Sequence, residues 1–272
     1  VSGAVLAVPR ALFFRLGGFD ERYLPAYGED SDLAFKVREL GLAAIYQPCA
    51  RVLHREGATG GADLSQGPKS FQVTNARKLE ERWRPRLDET HHAPGTSVAV
   101  ARERPCVLRV LVLDHCTPEA DKDAGSITAL NLMRLLQGLG ARVTFIPEDN
   151  FLYLDRYTAA MQRVGIECLY APYVTSVEDH LHEHGALYDV VVIFRFTAAR
   201  RHLSAVRRWC TRAAVVLHTS DLHYLRLERQ AALSGDHQLA EVAARTKAAE
   251  LAVIGAVDAT IVHSPVERDL LA

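Results

Sequence analysis

Leu108-Arg109-Val110-Leu111-Val112-Leu113-Asp114 is the stretch that decides the fold for most of this 272-residue chain. An aliphatic run of this length, closed by an acidic residue, is typical of a strand that is buried on both faces of a parallel sheet. The loop behind it ends in Asp121-Lys122-Asp123-Ala124-Gly125-Ser126. Ser126 is predicted to cap the helix that follows, and the pair forms the first strand–helix unit of a repeat.

The same alternation continues towards the end of the sequence. Further strands are predicted at 143–146, 166–170, 188–194, 213–217 and 258–263, and helical patterns lie between them. Strands that alternate with helices form a parallel sheet covered on both faces. Residues 106–272 are therefore predicted to be a doubly wound, Rossmann-like α/β domain.

The carboxyl ends of the strands in such a sheet are where ligands bind. The residues collected there are Asp114, the turn at 123–126 with Gly125 and Ser126, Arg195, His218, Ser220, Asp221 and His223. Gly125 lets backbone N–H groups approach a phosphate or a sugar hydroxyl, or it only eases a tight turn. Asp221 and His223 either contact acceptor or donor, or are hydrogen-bonded within the fold. No Gly-x-Gly-x-x-Gly pattern is present, which argues against a nicotinamide or flavin enzyme.

A second acidic motif organises the N-terminal part. Tyr27-Gly28-Glu29-Asp30-Ser31-Asp32-Leu33 opens an apolar-periodic run that Gly41 closes. Carboxylates are favoured at the start of a helix, so the cluster alone favours a structural, helix-capping role. Around it, strands are predicted at 2–8, 43–46 and 51–53, helices at 9–16 and 69–83, and an interdomain linker at 85–105.

Composition excludes several classes of protein. Lys and Arg number 32 against 33 Asp and Glu, a net charge of −1, so no electrostatic surface for nucleic acid is expected. No apolar run is long enough to span a membrane. The five Cys are scattered, as expected of small apolar residues in a reducing compartment such as the cytoplasm.

Two further clusters have competing interpretations. His180 and His184 share one helical face as a metal pair would, but a solvated helix face is favoured. The pairs Arg200-Arg201 and Arg207-Arg208 are interpreted as the solvent-facing side of a helix that packs on the sheet. The alternative is that they contact anionic lipid at a membrane surface.

The N-terminal part resembles the acceptor-side half of family-2 glycosyltransferases, which have the GT-A fold. The resemblance rests on Gly17-Gly18-Phe19-Asp20-Glu21, on the acidic motif and on His54-Arg55-Glu56-Gly57, and it covers residues 1–84. It implies that Asp30 is the catalytic base, with Glu29 beside it in the catalytic pair. It also implies a divalent metal (Mg or Mn), with His54 as one ligand or, equally, as a structural residue. The nucleotide-binding half, with its Asp-x-Asp motif, is expected before Val1.

Residues 106–272 resemble the N-terminal half of family-4 (group 1) glycosyltransferases, which have the GT-B fold. The motifs are Val110–Asp114, Asp121–Ser126, Asp221–Arg226 and Ser264–Arg268. The closest likeness is to bifunctional proteins of O-antigen and capsule assembly. It implies transfer of a hexose from a nucleotide-sugar donor to a glycan or lipid-linked acceptor at the inner face of the cell membrane. It implies no metal for the second module, and the 272 residues are expected to be inactive in isolation.

Two rival classes can be weighed against this resemblance. A receiver-type signalling domain would need an acidic phosphoacceptor after the third strand and a Lys after the fifth. The chain has Tyr170-Ala171-Pro172 and His218-Thr219-Ser220 there, so that class is excluded. A non-catalytic glycan-binding or scaffolding protein stays open as the alternative.

Overall fold

The chain divides into two compact units, Val1–Pro105 and Cys106–Ala272. A computed structural model describes residues 3, 5–46, 50–53, 68–102 and 106–272. None of the helices in these ranges is both long and apolar enough to cross a membrane.

The first unit is helical in the part that the structure describes. Its α-helices are α1 (Arg10–Arg15), α2 (Glu29–Glu39), α3 (Phe71–Thr90) and α4 (Val98–Ala101). The helix expected after Pro9 is confirmed as α1. The helix expected behind the acidic motif is confirmed as α2, and Gly41 follows it with a positive φ of 73°.

The strands predicted in this unit are not formed by the residues described at 2–8, 43–46 and 51–53. Ile45 and Tyr46 are each 86% exposed, and Leu53 is 82% exposed. A strand is stable when a neighbour satisfies its backbone groups, and no strand is found among the described residues of this unit. The apolar residues of these three segments predicted paired strands, and the described residues of the unit contain none. The assignment of this unit to the GT-A fold therefore stays a prediction.

Helix α3 runs on to Thr90, whereas the sequence pattern ended it at Trp83 and began the linker at Pro85. A proline inside a helix removes one backbone hydrogen bond. Contacts with α2 hold the helix on both sides of it. The Trp83 ring stacks on Phe35 with 4.9 Å between centroids, and Arg86 Nε lies 3.1 Å from a Glu39 carboxylate oxygen.

The second unit alternates strands and helices as its sequence predicts. The strands are β1 (Leu108–Asp114), β2 (Ala141–Pro147), β3 (Glu167–Cys168), β4 (Val190–Phe194), β5 (Ala214–His218) and β6 (Ala259–Ile261). The α-helices are α5 (Ala124–Gly138), α6 (Asp155–Arg163), α7 (Val177–His184), α8 (Phe196–Trp209), α9 (His223–Ser234), α10 (His237–Ile254) and α11 (Pro265–Leu271).

These strands form one six-stranded sheet in the order β3-β2-β1-β4-β5-β6, and every neighbouring pair is parallel. The predicted parallel α/β sheet is therefore confirmed. The order reverses between β1 and β4, where Val110 pairs with Val190 and Leu113 with Ile193. In open sheets of this kind, the crevice beyond the carboxyl ends of the strands at such a reversal is the usual place for a ligand.

Alternate residues of the central strands enter two separate cores, one on each face of the sheet. Leu111 and Leu113 pack in one core beneath α7 and α8, whereas Val110 and Val112 pack in the other beneath α5 and α6. All four are fully buried. Burial on both faces explains why β1 is continuously apolar, and the two cores fix the loops at the carboxyl edge.

Candidate functional site

Gly28 sets the start of the acidic helix in the first unit. It adopts φ 100°, ψ −17°, and a Cβ there would lie 3.1 Å from Cδ1 of Tyr23. A residue with a side chain would be strained in this backbone conformation and would also crowd the Tyr23 ring. The tight turn brings Glu29, Asp30 and Asp32 into the first turn of α2, where their charge is favourable.

Asp32 is the structural member of this acidic set. It is fully buried, and its carboxylate accepts hydrogen bonds from Trp83 Nε1 at 2.8 Å and Tyr23 Oη at 3.2 Å. Arg82 Nε and Lys36 Nζ each lie 3.2 Å from its oxygens. A buried carboxylate is stable only with such partners. Asp32 therefore joins α2 to α3, a role that the sequence analysis did not assign.

Asp20 extends the same network towards the surface. Its carboxylate accepts a hydrogen bond from Arg82 Nη1 at 2.5 Å and one from the Arg22 backbone N–H at 3.1 Å. The Arg82 hydrogen bond is the main cause that holds the pKa of Asp20 well below its ordinary value. Asp20, Arg22, Lys78, Glu81 and Arg82 line a shallow polar cleft of about 530 Å³. Because Asp20 is paired with both Arg22 and Arg82, and Lys78 donates to the Arg22 carbonyl, the cleft is better explained as structure than as a ligand site.

Asp30, the predicted base, is half-buried and makes only backbone contacts. Its Oδ2 accepts a hydrogen bond from the Gly3 N–H, and its Oδ1 accepts one from the Ser31 N–H, each at 2.6 Å. No side-chain cation pairs with it among the described residues. Beside it, Oε2 of Glu29 is buried without a hydrogen-bond partner in the described part of the chain. Among the described residues, the carboxylate of Asp30 is therefore positioned by the backbone N–H groups of Gly3 and Ser31 and has no ion-pair partner, which suits a proton acceptor.

The predicted metal site cannot be assembled from the described residues. His54 lies outside them, and within the described ranges no group of three or more His, Cys, Asp or Glu is arranged to hold a metal ion. The described side chains therefore do not provide a ligand set for the divalent metal that the family resemblance implies. We derive no chemical step through a metal.

Asp114 and Arg195 meet at the strand-order reversal of the second unit. Arg195 Nε donates to Asp114 Oδ1 at 3.1 Å, and the His115 N–H donates to the same oxygen at 2.7 Å. Asp114 is 3% exposed; its burial raises the pKa of the carboxyl, and Arg195 opposes that shift. Arg195 has a positive φ of 70° at the start of α8. Such strain is tolerated where the surrounding structure imposes it, here at the carboxyl end of β4.

Gly125 and Ser126 lie at the start of α5, next to this pair. The helix is capped by Asp123, whose Oδ1 accepts from the Ser126 N–H at 2.8 Å, so the prediction that Ser126 is the cap was wrong. Asp123 is the cap because it directly precedes the first helical residue, Ala124, whereas Ser126 already lies in the first turn. A Cβ on Gly125 would lie 3.1 Å from Asp123 Oδ1 and 3.4 Å from Arg195 Nη2. Gly125 therefore allows Arg195 to lie close over the turn.

His218 ends β5 on the same edge and is kept neutral. It is 4% exposed, its ring stacks on Phe194, and Nδ1 accepts from the Ser220 N–H at 3.2 Å. Burial is the main cause that lowers the pKa of His218 to about 4, and nearby His263 adds to it. The two imidazole rings are 5.0 Å apart. His263 follows the last strand, and the sequence did not indicate that its ring would lie beside His218.

Asp221 and His223 lie near this edge but interact with each other. His223 Nε2 is 3.3 Å from an Asp221 carboxylate oxygen, and Arg226 Nη1 is 3.2 Å from the other. The backbone N–H groups of His223 and Tyr224 donate to the buried carboxylate of Glu250. Glu250 thus caps the start of α9, and the structure does not pair Asp221 or His223 with the Asp114–Arg195 pair.

Glu148 forms a buried cluster at the carboxyl end of β2 that the sequence did not reveal. His202 Nε2 is 2.9 Å from its Oε2, Arg201 pairs with the same oxygen, and His115 Nδ1 is 3.9 Å from Oε1. The outer-face interpretation of Arg201 was therefore incomplete, because this side chain reaches a buried carboxylate. The Arg201 side chain stays exposed while its charge is paired with Glu148.

The histidines of α7 are also less solvated than the sequence predicted. His180 is 9% exposed, and its Nε2 is 2.8 Å from Tyr188 Oη. His180 and His184 rings are 5.0 Å apart. The prediction of a solvated helix face was wrong for His180, because the turn before β4 covers this side chain. The hydrogen bond to Tyr188 gives His180 a structural role.

The comparisons with known proteins connect part of the chain to glycosyltransferases. It is 38% identical over 88 residues, 31% of the chain, to the N-acetylglucosaminyl-diphospho-decaprenol L-rhamnosyltransferase of Mycobacterium tuberculosis. It is 36% identical over 83 residues to a putative polypeptide N-acetylgalactosaminyltransferase 10 of Drosophila melanogaster, and 34% identical over 67 residues to a galactofuranosyl glycosyltransferase of Leishmania donovani.

These matches are local. The Drosophila protein matches 30% of the chain, and the Leishmania protein matches 24%. The chain in turn spans 28% of the Mycobacterium protein, 13% of the Drosophila protein and 15% of the Leishmania protein. No family model matches the chain. No solved structure matches it either.

Proposed function

We propose that this chain is part of a glycosyltransferase with two modules, which acts in the synthesis of a cell-surface polysaccharide. The single observation that carries the proposal is the identity of 38% over 88 residues with a sugar transferase. The carboxylate of Asp30, which has no ion-pair partner among the described residues, is compatible with it. The matched length is close to the 84 residues that resemble the family-2 GT-A module.

In the first module, Asp30 is the general base. Its carboxylate takes the proton from an acceptor hydroxyl while the oxygen attacks the anomeric carbon of the donor sugar. The bond from that carbon to the nucleotide diphosphate breaks, and the diphosphate leaves with the bonding electrons, so the configuration inverts. The backbone donors Gly3 and Ser31 hold the carboxylate in place.

In the second module, the turn at Gly125 and Ser126 is proposed to face the donor phosphates. Arg195 lies over this turn and supplies a positive charge, while Asp114 fixes its guanidinium. The support is the position of the group at the point where the strand order reverses. We propose that this module is a metal-independent, retaining transferase of the GT-B type, and that His218, Asp221 and His223 are candidates for acceptor contacts.

The proposed donor is a nucleotide-activated hexose, and the proposed acceptor is a glycan or a lipid-linked sugar on the cytoplasmic face of the cell membrane. Two of the relatives carry names that include rhamnosyl and galactofuranosyl transfer. Those sugars are therefore the first to test as donors here.

The test is a transfer assay on the full-length protein with uridine, guanosine and thymidine diphosphate sugars and an extract of lipid-linked acceptors. We expect Asp30→Asn to abolish one product and to leave a second product unchanged, since the amide does not accept the proton. Asp88→Asn, which removes an exposed carboxylate from α3, is the matched control and should keep both. If neither parent nor variant transfers sugar but both bind glycan, the scaffolding alternative replaces this proposal.

A further inference from the structure

Three tyrosines form a continuous aromatic surface in the second unit, apart from the groups already described. The rings of Tyr153 and Tyr170 are 4.9 Å apart at centroid, and those of Tyr170 and Tyr173 are 5.8 Å apart. Tyr170 is half-buried against the sheet core, whereas Tyr153 is 42% exposed and Tyr173 is 80% exposed. The inner ring thus supports two outer rings that face solvent. We call these three residues the tyrosine platform.

The loops that carry the tyrosine platform are fixed by backbone hydrogen bonds. The Ala171 N–H donates to the carbonyl of Phe151 at 2.8 Å, and so ties the loop after β3 to the loop after β2. The Tyr173 N–H donates to the Tyr170 carbonyl at 3.0 Å. Thr117 Oγ1 donates to the Leu152 carbonyl at 3.4 Å, which adds the loop after β1. The exposed rings therefore sit on a preorganised support.

The tyrosine platform lies at the same edge of the sheet as Asp114 and Arg195. The loop after β2 starts beside β1, because the Glu148 N–H donates to the Asp114 carbonyl and the Asp149 N–H donates to the His115 carbonyl. The loops that carry the tyrosine platform follow the carboxyl ends of β2 and β3. A ligand that reaches from the strand-order reversal across β2 towards β3 would meet these rings.

We propose that the exposed faces of Tyr153 and Tyr173 form a stacking subsite for the pyranose rings of a glycan. One face of a pyranose carries C–H groups that pack on an aromatic ring, while its hydroxyls stay in water or bond to a phenol. Tyrosine suits this use, since it offers a rigid apolar face and a polar tip at a small cost in conformational entropy. The rings of Tyr153 and Tyr173 are inclined to the Tyr170 ring by 57° and 77°.

This inference rests on the proposed function and deepens it, because it assigns the acceptor side of the second module to particular side chains. A nucleobase or a lipid chain would also contact aromatic rings. The exposure of Tyr153 and Tyr173 to solvent, and the position of the rings at the sheet edge that carries Asp114 and Arg195, favour a sugar over a lipid chain.

The test is binding alone, without donor or transfer. The full 272-residue chain is applied to a broad array of microbial glycans, and the strongest ligand is then titrated by calorimetry. We expect Tyr173→Ala and Tyr153→Ala each to weaken binding about tenfold, while Tyr173→Phe keeps most of it because the stacking face remains. Tyr46→Ala, which removes an 86% exposed tyrosine of the first unit, is the matched control.

Absence of binding to any glycan, equal binding by parent and alanine variants, or binding only to free nucleosides would overturn the proposal. Thermal unfolding of each variant checks that the exposed substitutions leave the fold intact. Because the assay needs no transfer, it can succeed even if Asp30→Asn shows that the proposed catalysis is wrong.

Discussion

Single residues in the acidic motif of α2 have separate environments, although they are close in sequence. Asp32 is enclosed by Trp83, Arg82 and Lys36, whereas the partners of Asp30 among the described residues are backbone N–H groups. The first arrangement stabilises the unit, and the second leaves a carboxylate that can accept a proton. The sequence could indicate three carboxylates at a helix start, but not which one is buried, because that depends on α3, about 50 positions away.

Asp32→Asn should lower the free energy of unfolding of the first unit by about 3 kcal/mol, because it breaks a buried ion pair and leaves cations without their partner. Urea unfolding followed by Trp83 fluorescence measures this, in a Trp209→Phe background so that the signal comes from the first unit alone. Asp88→Asn, at an exposed site of α3, should change the stability by less than about 0.5 kcal/mol. A shift for Asp32→Asn as small as that of the control would remove the structural role assigned to Asp32.

His218 should make the second unit lose stability in acid. Its pKa is about 4 in the folded protein against the ordinary 6.5, so the unfolded chain binds a proton first as the pH falls. The penalty is absent above pH 6.5, grows as the pH drops towards 4 and levels off below it. The two pKa values correspond to about 3 kcal/mol in total.

His218→Phe should remove most of that loss between pH 7 and pH 4.5, although it also removes the acceptor for the Ser220 N–H and so lowers stability at neutral pH. Circular dichroism during urea unfolding at both pH values gives the difference. His237→Gln, at the exposed start of α10, should leave the pH dependence unchanged. A pH dependence for His218→Phe that equals the parent's would mean that the pKa of His218 is the same in the folded and the unfolded protein.

At the scale of elements, one glycine is needed for the start of α2 and another is dispensable in α5. Gly28→Ala should destabilise the first unit by about 2 kcal/mol, because φ is 100° and the new Cβ meets the Tyr23 ring. Gly138→Ala should stabilise by about 0.5 kcal/mol, since it lies in a helix with nothing within 4 Å of the new Cβ. Thermal unfolding of both variants tests the contrast, and equal effects would contradict it.

The elements that the sequence predicted well are those whose pattern does not depend on a distant partner. The run at β1 is apolar at nearly every position because both faces are covered, and that pattern is visible locally. The segments at 43–46 and 51–53 have similar apolar residues but stay exposed, since pairing depends on neighbours. Helix α3 continues beyond Pro85 because side chains of α2 contact it on both sides of the proline. The sequence around Pro85 alone predicts a helix end there.

At the scale of the whole molecule, the sequence predicted which residues lie at the carboxyl edge of the sheet in the second unit better than it predicted the contacts among them. Asp114, Gly125, Arg195 and His218 could be placed there from the order of strands and loops alone. The close approach of Arg195 to Gly125, the neutral His218 and the tyrosine platform each depend on side chains from more than one loop. Such contacts become visible only when the loops are folded together.

Sugar transfer by the full-length protein, compared between parent and Asp30→Asn, tests the central claim most directly. The account predicts that one transferase activity falls at least about a hundredfold, as expected when a general base is lost, while the other activity and the melting temperature stay unchanged. Equal rates of both transfers in parent and variant would contradict it and would remove Asp30 from the mechanism.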